Sequence, residues 1–174
     1  MHAISLTVGL AAIVAVGCAT MDGKESRATA TLEPTKGNAT AGVVTFVQRG
    51  DKVFVSADVR GLQPNKEHGF HIHEKRDCSS GDGTSAGGHF NPDASTHGHV
   101  QSGDTGHAGD MPNLKADPAG GAKVTFAVGK MTVVDGKFGI VGKGLSVHRD
   151  PDDYKTQPTG NAGPRLSCSV IKTG

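Results

Sequence analysis

The sequence has almost no net charge and lacks the common nucleotide-binding motifs. Lys and Arg number 18 against 17 Asp and Glu, a formal net charge of +1, which gives no global field for nucleic acid or an acidic membrane. There is no P-loop, no G-x-G-x-x-G fingerprint and no patch of interleaved basic and aromatic residues. These absences argue against nucleotide and nucleic-acid binding, and they leave the steering of any charged substrate to local groups.

Trp is also absent, and the apolar residues rarely form long runs. They make up 35% of the chain and occur in short Val- and Ala-rich stretches, separated by Pro, Asn, Asp and the 26 Gly residues. This pattern favours many short strands over helices. With 174 residues, the chain is long enough for one domain with a real core and too short for two.

One apolar run lies near the N-terminus, from Ile4 to Val16. It is too short to span a membrane and is placed like the apolar region of an export signal. The letters AVGC ending at Cys18 resemble a bacterial lipoprotein cleavage site, which would place a lipid anchor on Cys18 of a periplasmic protein. The alternative is an ordinary secretory signal with an incidental cysteine. The predicted organisation is a signal peptide at 1–17, a polar tether at 18–28 and a folded domain at 29–174.

Alternation of apolar and polar residues marks the strands. In the clearest strand, Val53, Val55, Ala57 and Val59 alternate with polar residues, the period-two pattern of a half-buried strand. The turn Arg49-Gly50-Asp51 joins it to the preceding strand in a hairpin. The predicted strands are Ala28–Glu33, Ala41–Gln48, Lys52–Arg60, His68–Glu74, Asn113–Ala116, Ala122–Val128, Lys143–His148 and Arg165–Ile171. Eight short strands with only loops between them predict an all-β barrel or sandwich.

Two predicted loops, roughly 75–111 and 149–164, are longer than simple connections require, and such loops are usually functional. The stretch from Gly69 to Asp110 holds six of the nine histidines. A dense group of imidazoles interrupted by glycines and closed by an aspartate is typical of a transition-metal site. His71 and His73 are two residues apart on a strand and therefore share one face. Such a pair alone could be a surface accident, but the neighbouring histidines favour ligands.

The motifs GFHIHE, AGGHFNP, a further His eight residues after the one in AGGHFNP, HAGD, LSVHRDPDD and TGNAGPRLSC follow one another along the chain. In this order they resemble the motifs of the copper,zinc superoxide dismutases, from about Thr29 to Ile171, and are most similar to the bacterial periplasmic branch. The resemblance implies an eight-stranded antiparallel Greek-key barrel or sandwich with two long functional loops.

The resemblance also implies two metal ions that share one histidine. The implied copper ligands are His71, His73, His89 and His148. The implied zinc ligands are His89, His97, His107 and Asp110, with His89 as a bridging imidazolate. Imidazole nitrogen suits Cu(II), and nitrogen with carboxylate oxygen suits zinc. Two cations make the loss of both ring protons possible near neutral pH.

Other positions match supporting roles of the family. Asp152 is implied to hydrogen-bond His71 and His97 behind the metals; a solvated Asp in an acidic loop is the alternative. Arg165 matches the arginine that attracts and orients the superoxide anion beside copper. Thr159 matches the residue that narrows the same channel. Lys155 could add longer-range attraction or be an ordinary surface lysine.

The three cysteines divide into a pair and one candidate lipid site. Cys78 and Cys168 match the intrasubunit disulfide of the family, which would form in an oxidising compartment. Cys18 remains for the lipid anchor. His68 and His99 match no ligand of the family, and we expect structural roles for both, although His99 could compete with His97 for zinc.

The function implied by the resemblance is dismutation of superoxide in an exported compartment. Copper would oxidise one superoxide to dioxygen and reduce a second to hydrogen peroxide, with His89 exchanging a proton. One alternative is a non-catalytic, metal-buffering lipoprotein with the same fold. Another is a hydrolytic zinc enzyme, which is disfavoured because Asp110 is used as the fourth ligand and no general base remains. The resemblance is compatible with both a monomer and a homodimer.

Overall fold

The computed structural model describes residues 25–100 and 106–174. The predicted signal peptide, Cys18 and most of the predicted tether lie outside these residues. No helix within the described part of the chain is long and apolar enough to cross a membrane.

Ten strands occur within residues 25–100 and 106–174. They are β1 (Arg27–Pro34), β2 (Ala41–Arg49), β3 (Lys52–Arg60), β4 (Glu67–His68), β5 (Phe70–His73), β6 (Leu114–Lys115), β7 (Ala122–Val128), β8 (Gly144–His148), β9 (Arg165–Val170) and β10 (Lys172–Thr173). A short 3₁₀ turn at Thr84–Ala86 is the one helical element among the described residues. The first strand begins two residues before the predicted start of the domain at residue 29.

Eight of these strands form one curled antiparallel sheet. Its order is β5-β8-β9-β1-β2-β3-β7, with β10 also paired to β1, while β4 and β6 form a separate two-stranded sheet. Several neighbours, such as β1 with β9 and β3 with β7, are distant in the sequence, so the connections cross over in the Greek-key manner. The predicted all-β, antiparallel fold is confirmed.

The core lies on the concave side of this sheet, where the alternating apolar side chains point. In β3, Val53, Val55, Ala57 and Val59 are at most 2% exposed, whereas the residues between them are half-buried or exposed. Each fully buried valine contributes about 1.5–3 kcal/mol by removing apolar surface from water. The predicted hairpin turn joins β2 to β3 through a two-residue loop in which Gly50 has a φ of 60°, a conformation that favours glycine.

One predicted strand, His68–Glu74, is divided in the structure. β4 pairs with β6, whereas β5 pairs with β8, and the chain changes partner at Gly69. The Gly69 N–H donates to the carbonyl of Asp150, 2.9 Å away, in the long loop 149–164. A Cβ at Gly69 would lie 2.7 Å from that of Ala162, so the approach of this loop requires glycine. A tertiary contact therefore interrupts a strand that is continuous in its sequence pattern.

A disulfide ties the first long loop to the barrel. Cys78 in this loop is bonded to Cys168 on β9 across a sequence separation of 90 residues, with the two Cα atoms 5.8 Å apart. The predicted pairing is confirmed. The link brings the segment that follows Cys78 close to Arg165, which begins β9.

Candidate metal centre

The site is built along the edge of β5 that faces away from β8. The loop residues Asp110 and His89 pair with His71 and His73 on this edge as isolated bridges. The Ile72 N–H donates to the carbonyl of Gly109 at 2.9 Å. Phe70 and Ile72, which alternate with the two histidines, are fully buried in the core. β5 thus directs apolar side chains to the core and presents its histidines to the loop.

The sequence-predicted ligands are brought together in two groups that share His89. The four-histidine cluster consists of His71, His73, His89 and His148, and the aspartate cluster of His89, His97, His107 and Asp110. In each cluster one ligand atom per residue lies within 4.8 Å of the others, and every member is buried. The sharing places two potential metal ions next to each other.

Hydrogen bonds fix which nitrogens of the four-histidine cluster are available. The Nδ1 atoms of His73 and His148 lie 3.0 and 2.9 Å from the carbonyl oxygens of Gly87 and Gly163, which can only accept. His148 Nδ1 therefore carries the proton, whereas His73 Nδ1 also lies 3.0 Å from Arg165 Nη2, which can only donate. The Nε2 atoms of the two rings lie 3.3 Å apart, close enough to bind one cation together.

The Asp152 carboxylate hydrogen-bonds one histidine of each cluster, at the ring nitrogen that points away from the cluster. Its Oδ2 lies 2.7 Å from His71 Nε2 and its Oδ1 lies 2.9 Å from His97 Nε2. Because a carboxylate only accepts, both Nε2 atoms donate, and Nδ1 of each ring is left for a metal. The Asp152 backbone is fixed in turn by the Asn113 amide, which donates to its carbonyl and accepts from its N–H, both at 3.0 Å.

Two buried ring nitrogens face the four-histidine cluster without a hydrogen-bond partner, His71 Nδ1 and His89 Nε2. In the aspartate cluster, His97 Nδ1 and His107 Nδ1 lie 2.9 and 3.4 Å from the carboxylate oxygens of Asp110. An unpaired buried polar atom costs about 1–3 kcal/mol, and a coordinated cation removes that cost. The donor sets fit two different ions, because all-imidazole coordination suits copper, and three imidazoles with a carboxylate suit a closed zinc site.

Burial favours the neutral form of three rings in the four-histidine cluster, those of His73, His89 and His148. The pKa of His89 is lowered to about 4, chiefly by burial. Burial likewise holds the pKa values of His73 and His148 well below 6.5, with a further contribution from Arg165 at His73 and from His71 at His148. Neutral imidazole is the form that coordinates a metal.

Carboxylates dominate the electrostatics of the aspartate cluster. Burial alone would lower the pKa of His97, but hydrogen bonds to Asp110 and Asp152 outweigh it and raise this pKa to about 9. Burial would raise the pKa of Asp110, but its contacts with His107, His89 and His97 outweigh this and lower it. The cluster therefore holds an ionised carboxylate, and a metal ion would compete with the proton on His97 Nδ1.

A cavity of about 530 Å³ leads to the four-histidine cluster. His73, His89 and His148 contribute to its lining, together with the predicted Thr159 and Arg165. The Arg165 guanidinium donates to the carbonyls of Gly83 and Gly87. Of the described residues, the members of the aspartate cluster other than His89 do not line this cavity. One cluster is thus accessible to a small solute, and the other is enclosed.

His68, His99 and Lys155 belong to neither cluster. His68 Nδ1 lies 2.9 Å from the carbonyl oxygen of His148 and donates to it, which fixes the backbone at His148. The His99 ring packs against Tyr154, with the ring centroids 4.3 Å apart. Lys155 is exposed, and in the part of the chain that the structure describes the cavity is lined by Lys36 instead.

Sequence reasoning missed two kinds of residue at the site. One is a glycine that lets the backbone come close to Asp152 and His97, and the other is the pair of charged side chains at the mouth of the cavity. Gly160 has a φ of 64°, and a Cβ there would overlap Asp152 Oδ1 and lie 2.6 Å from His97 Nε2. Its position in the TGN motif, directly after Thr159, was the available signal. Lys36 and Asp82, which also line the cavity, belong to segments with no recognisable pattern.

The fold and the site together define an all-β protein built to hold two adjacent metal ions. Residues 40–171 match the family described as copper/zinc superoxide dismutase (SODC). The chain belongs to the copper/zinc superoxide dismutase family.

Individual relatives agree with this assignment. A Cu-Zn superoxide dismutase of Paramecium bursaria Chlorella virus 1 is 43% identical over 136 residues, covering 75% of this chain and 71% of the relative. Superoxide dismutase [Cu-Zn] 2 of Aquifex aeolicus is 37% identical over 153 residues, covering 86% and 88%. A solved structure described as that of the clock protein EA4 superposes with a TM-score of 0.76 at 37% identity, covering 85% of this chain and 94% of the other.

Proposed function

We propose that this protein dismutates superoxide, with copper in the four-histidine cluster and zinc in the aspartate cluster. The observation that carries the proposal is that three histidines of the four-histidine cluster line an open cavity beside Arg165, while the adjoining cluster of zinc-type ligands is enclosed. Bound copper supplies the one-electron exchange that oxidises one superoxide to dioxygen and reduces another, with two protons, to hydrogen peroxide.

The chain's own residues position the substrate and the ligands. Arg165 attracts the anion and orients it with a guanidinium that Gly83 and Gly87 hold in place. His89 presents Nε2, which has no hydrogen-bond partner, towards the four-histidine cluster, where it can hold and deliver a proton. Its Nδ1 lies 2.8 Å from Asp110 Oδ1 in the aspartate cluster. Asp152 fixes the orientations of His71 and His97.

Metal analysis combined with a superoxide-consumption assay tests the proposal. We expect one copper and one zinc per chain, loss of copper with retention of zinc in His148→Ala, and loss of zinc in His107→Ala. His99→Ala is the matched control, because this histidine belongs to neither cluster, and it should retain both metals and the activity. A fully metallated wild-type protein that does not consume superoxide would favour the metal-buffering function.

We also propose that the chain is exported to the periplasm and anchored through Cys18. The support is the apolar segment at 4–16, whose last two residues begin the sequence AVGC that ends at Cys18, and the pairing of the other two cysteines in a disulfide, which is typical of oxidising compartments. An extracellular Cu-Zn superoxide dismutase of Drosophila melanogaster is among the relatives, with 42% identity over 138 residues.

Fatty-acid labelling in cells tests the anchor. Radioactive palmitate should label the wild-type chain but not Cys18→Ser, and the labelled chain should start at residue 18. An exported but unlabelled wild-type chain would contradict the anchor while leaving export intact. Sedimentation equilibrium of the purified domain distinguishes the monomer from the homodimer.

A further inference from the structure

Two loops of opposite charge meet at the mouth of the cavity. Lys36, between β1 and β2, and Asp82, in the loop after Cys78, both line it. The Lys36 N–H donates to the carbonyl of Gly81 at 2.7 Å. A Cβ at Gly81 would lie 3.7 Å from that of Lys36, so the stem of the lysine passes alongside this loop. The two charges are therefore held on adjoining parts of one wall.

Asp82 fixes the turn that holds Arg165. Its Oδ1 accepts hydrogen bonds from the Thr84 N–H at 3.0 Å and from the Thr84 hydroxyl at 2.7 Å. The carbonyl of Gly83, between these two residues, accepts from the Arg165 guanidinium. Gly83 has a φ of 76°, so the turn has an unusual conformation that local hydrogen bonds must maintain. The Asp82 side chain therefore helps to present this carbonyl to Arg165.

Asp82 is also a permanent negative charge at this wall. Hydrogen bonds from Thr84, first the N–H and then the hydroxyl, lower its pKa to about 2, so it is ionised throughout the physiological range. Burial lowers the pKa of Arg165, and the charge of Asp82 is close enough to oppose that shift. Apart from the histidines proposed to bind copper, the ionisable side chains of the lining are Lys36, Asp82 and Arg165.

We propose that Lys36 and Asp82 set the net charge at the mouth of the cavity, and with it the rate at which small monoanions reach the copper. Asp82 is in addition a positioning residue for Arg165. The proposal rests on the proposed function insofar as superoxide is the anion concerned. Asp82 thus has two opposed effects: its hydrogen bonds keep Arg165 oriented, and its charge repels the substrate. Lys36 supplies the attraction that the sequence suggested for Lys155.

Two substitutions of Asp82 separate these effects. Asp82→Asn keeps an oxygen that can accept from Thr84 and removes the charge, whereas Asp82→Ala removes both. A unit charge at a distance of about 10 Å in water changes the attraction of a monoanion by about twofold. We therefore expect Asp82→Asn to raise kcat/KM for superoxide about twofold at low ionic strength, and Lys36→Gln to lower it about twofold. Asp82→Ala should fall below Asp82→Asn because Arg165 loses its support.

Salt and a second anion provide independent measurements. Screening should bring Asp82→Asn and Lys36→Gln close to the wild-type rate as the ionic strength approaches 1 M, where the Debye length is about 3 Å. Azide binding to the copper-loaded protein, followed by its visible absorption at equilibrium, should tighten about twofold in Asp82→Asn and weaken about twofold in Lys36→Gln. Lys155→Gln is the matched control and should leave the rate and the azide affinity unchanged.

The outcomes distinguish this proposal from the proposed function. If azide affinities shift as expected but no metallated variant, including wild type, consumes superoxide, the channel proposal holds and the dismutase function fails. If wild type is active while Asp82→Asn and Lys36→Gln match it in rate, salt dependence and azide affinity, the channel proposal is wrong. Equal rates and azide affinities for Asp82→Ala and Asp82→Asn would overturn the positioning role.

Discussion

Gly160→Ala offers a sharp test of how the two clusters are linked. The φ of 64° at Gly160 costs a non-glycine residue about 1–2 kcal/mol. In addition, the new methyl group would overlap Asp152 Oδ1 and lie 2.6 Å from His97 Nε2. Overpacking of this kind costs about 1–3 kcal/mol. We expect the metal-free variant to lose about 2–5 kcal/mol of unfolding free energy in urea.

Gly50→Ala is the matched control for this substitution. Gly50 has a φ of 60°, and nothing lies within 4 Å of a Cβ there, so this change carries the backbone cost alone, about 1–2 kcal/mol. Because Asp152 hydrogen-bonds His97, a proposed zinc ligand, Gly160→Ala should also weaken zinc binding by about 10–100-fold, measured by competition with a chelator, whereas Gly50→Ala should not. Equal losses of stability and unchanged zinc affinity in both variants would refute the assignment of Asp152 as the link.

Three further predictions concern the disulfide, pH and Arg165. Replacing Cys78 and Cys168 together by Ser should lower the free energy of unfolding by about 4–5 kcal/mol, since the bond closes a loop of about 90 residues; a loss below about 1 kcal/mol in urea would contradict this. For the metal-free protein, His73, His89 and His148 have lowered pKa values, so the unfolded chain binds more protons below pH 6.5, and stability should fall by about 1.4 kcal/mol per pH unit for each of them. A urea-stability profile that stays flat from pH 6.5 to 5 would contradict these lowered pKa values. His97, with a raised pKa of about 9, acts in the opposite sense: its contribution is complete below pH 6.5 and is lost as the pH rises through 9, so a profile that stays flat from pH 6.5 to 9 would contradict the raised pKa. Arg165→Gln should lower kcat/KM for superoxide by about tenfold, equivalent to about 1.4 kcal/mol, with unchanged copper content, and an unchanged rate would exclude Arg165 from substrate guidance.

The sequence predicts the regular parts of this fold well because they follow local rules. The alternation in β3 and the turn at Gly50 depend on neighbouring residues, and both occur as predicted. The interruption at Gly69 could not be predicted, because it arises from the approach of Asp150 and Ala162, which are 81 and 93 residues away along the chain. Long-range contacts of this kind have no periodicity that a local pattern could reveal.

The candidate site likewise has one part that the sequence predicts and another part that depends on long-range packing. The predicted ligands lie in recognisable motifs, and the structure brings these residues together in two buried clusters. The charged residues that line the cavity were not predicted from the sequence. Lys155 lies in a long loop that contributes other residues to the site, yet the cavity is lined by Lys36, from a turn between two core strands. Which surface lysine faces the cavity depends on how β1 and the loop after Cys78 pack together, and neither segment encodes that alone.

The dependence of superoxide decay on bound copper tests the central claim most directly. In zinc-loaded protein, the second-order rate constant for decay, measured by stopped flow, should rise linearly with added copper and level off at one copper per chain. His148→Ala, which lacks one of the four histidines of the cluster, should stay near the uncatalysed rate throughout. A wild-type protein that binds one copper per chain while superoxide decays no faster than in its absence would contradict the account.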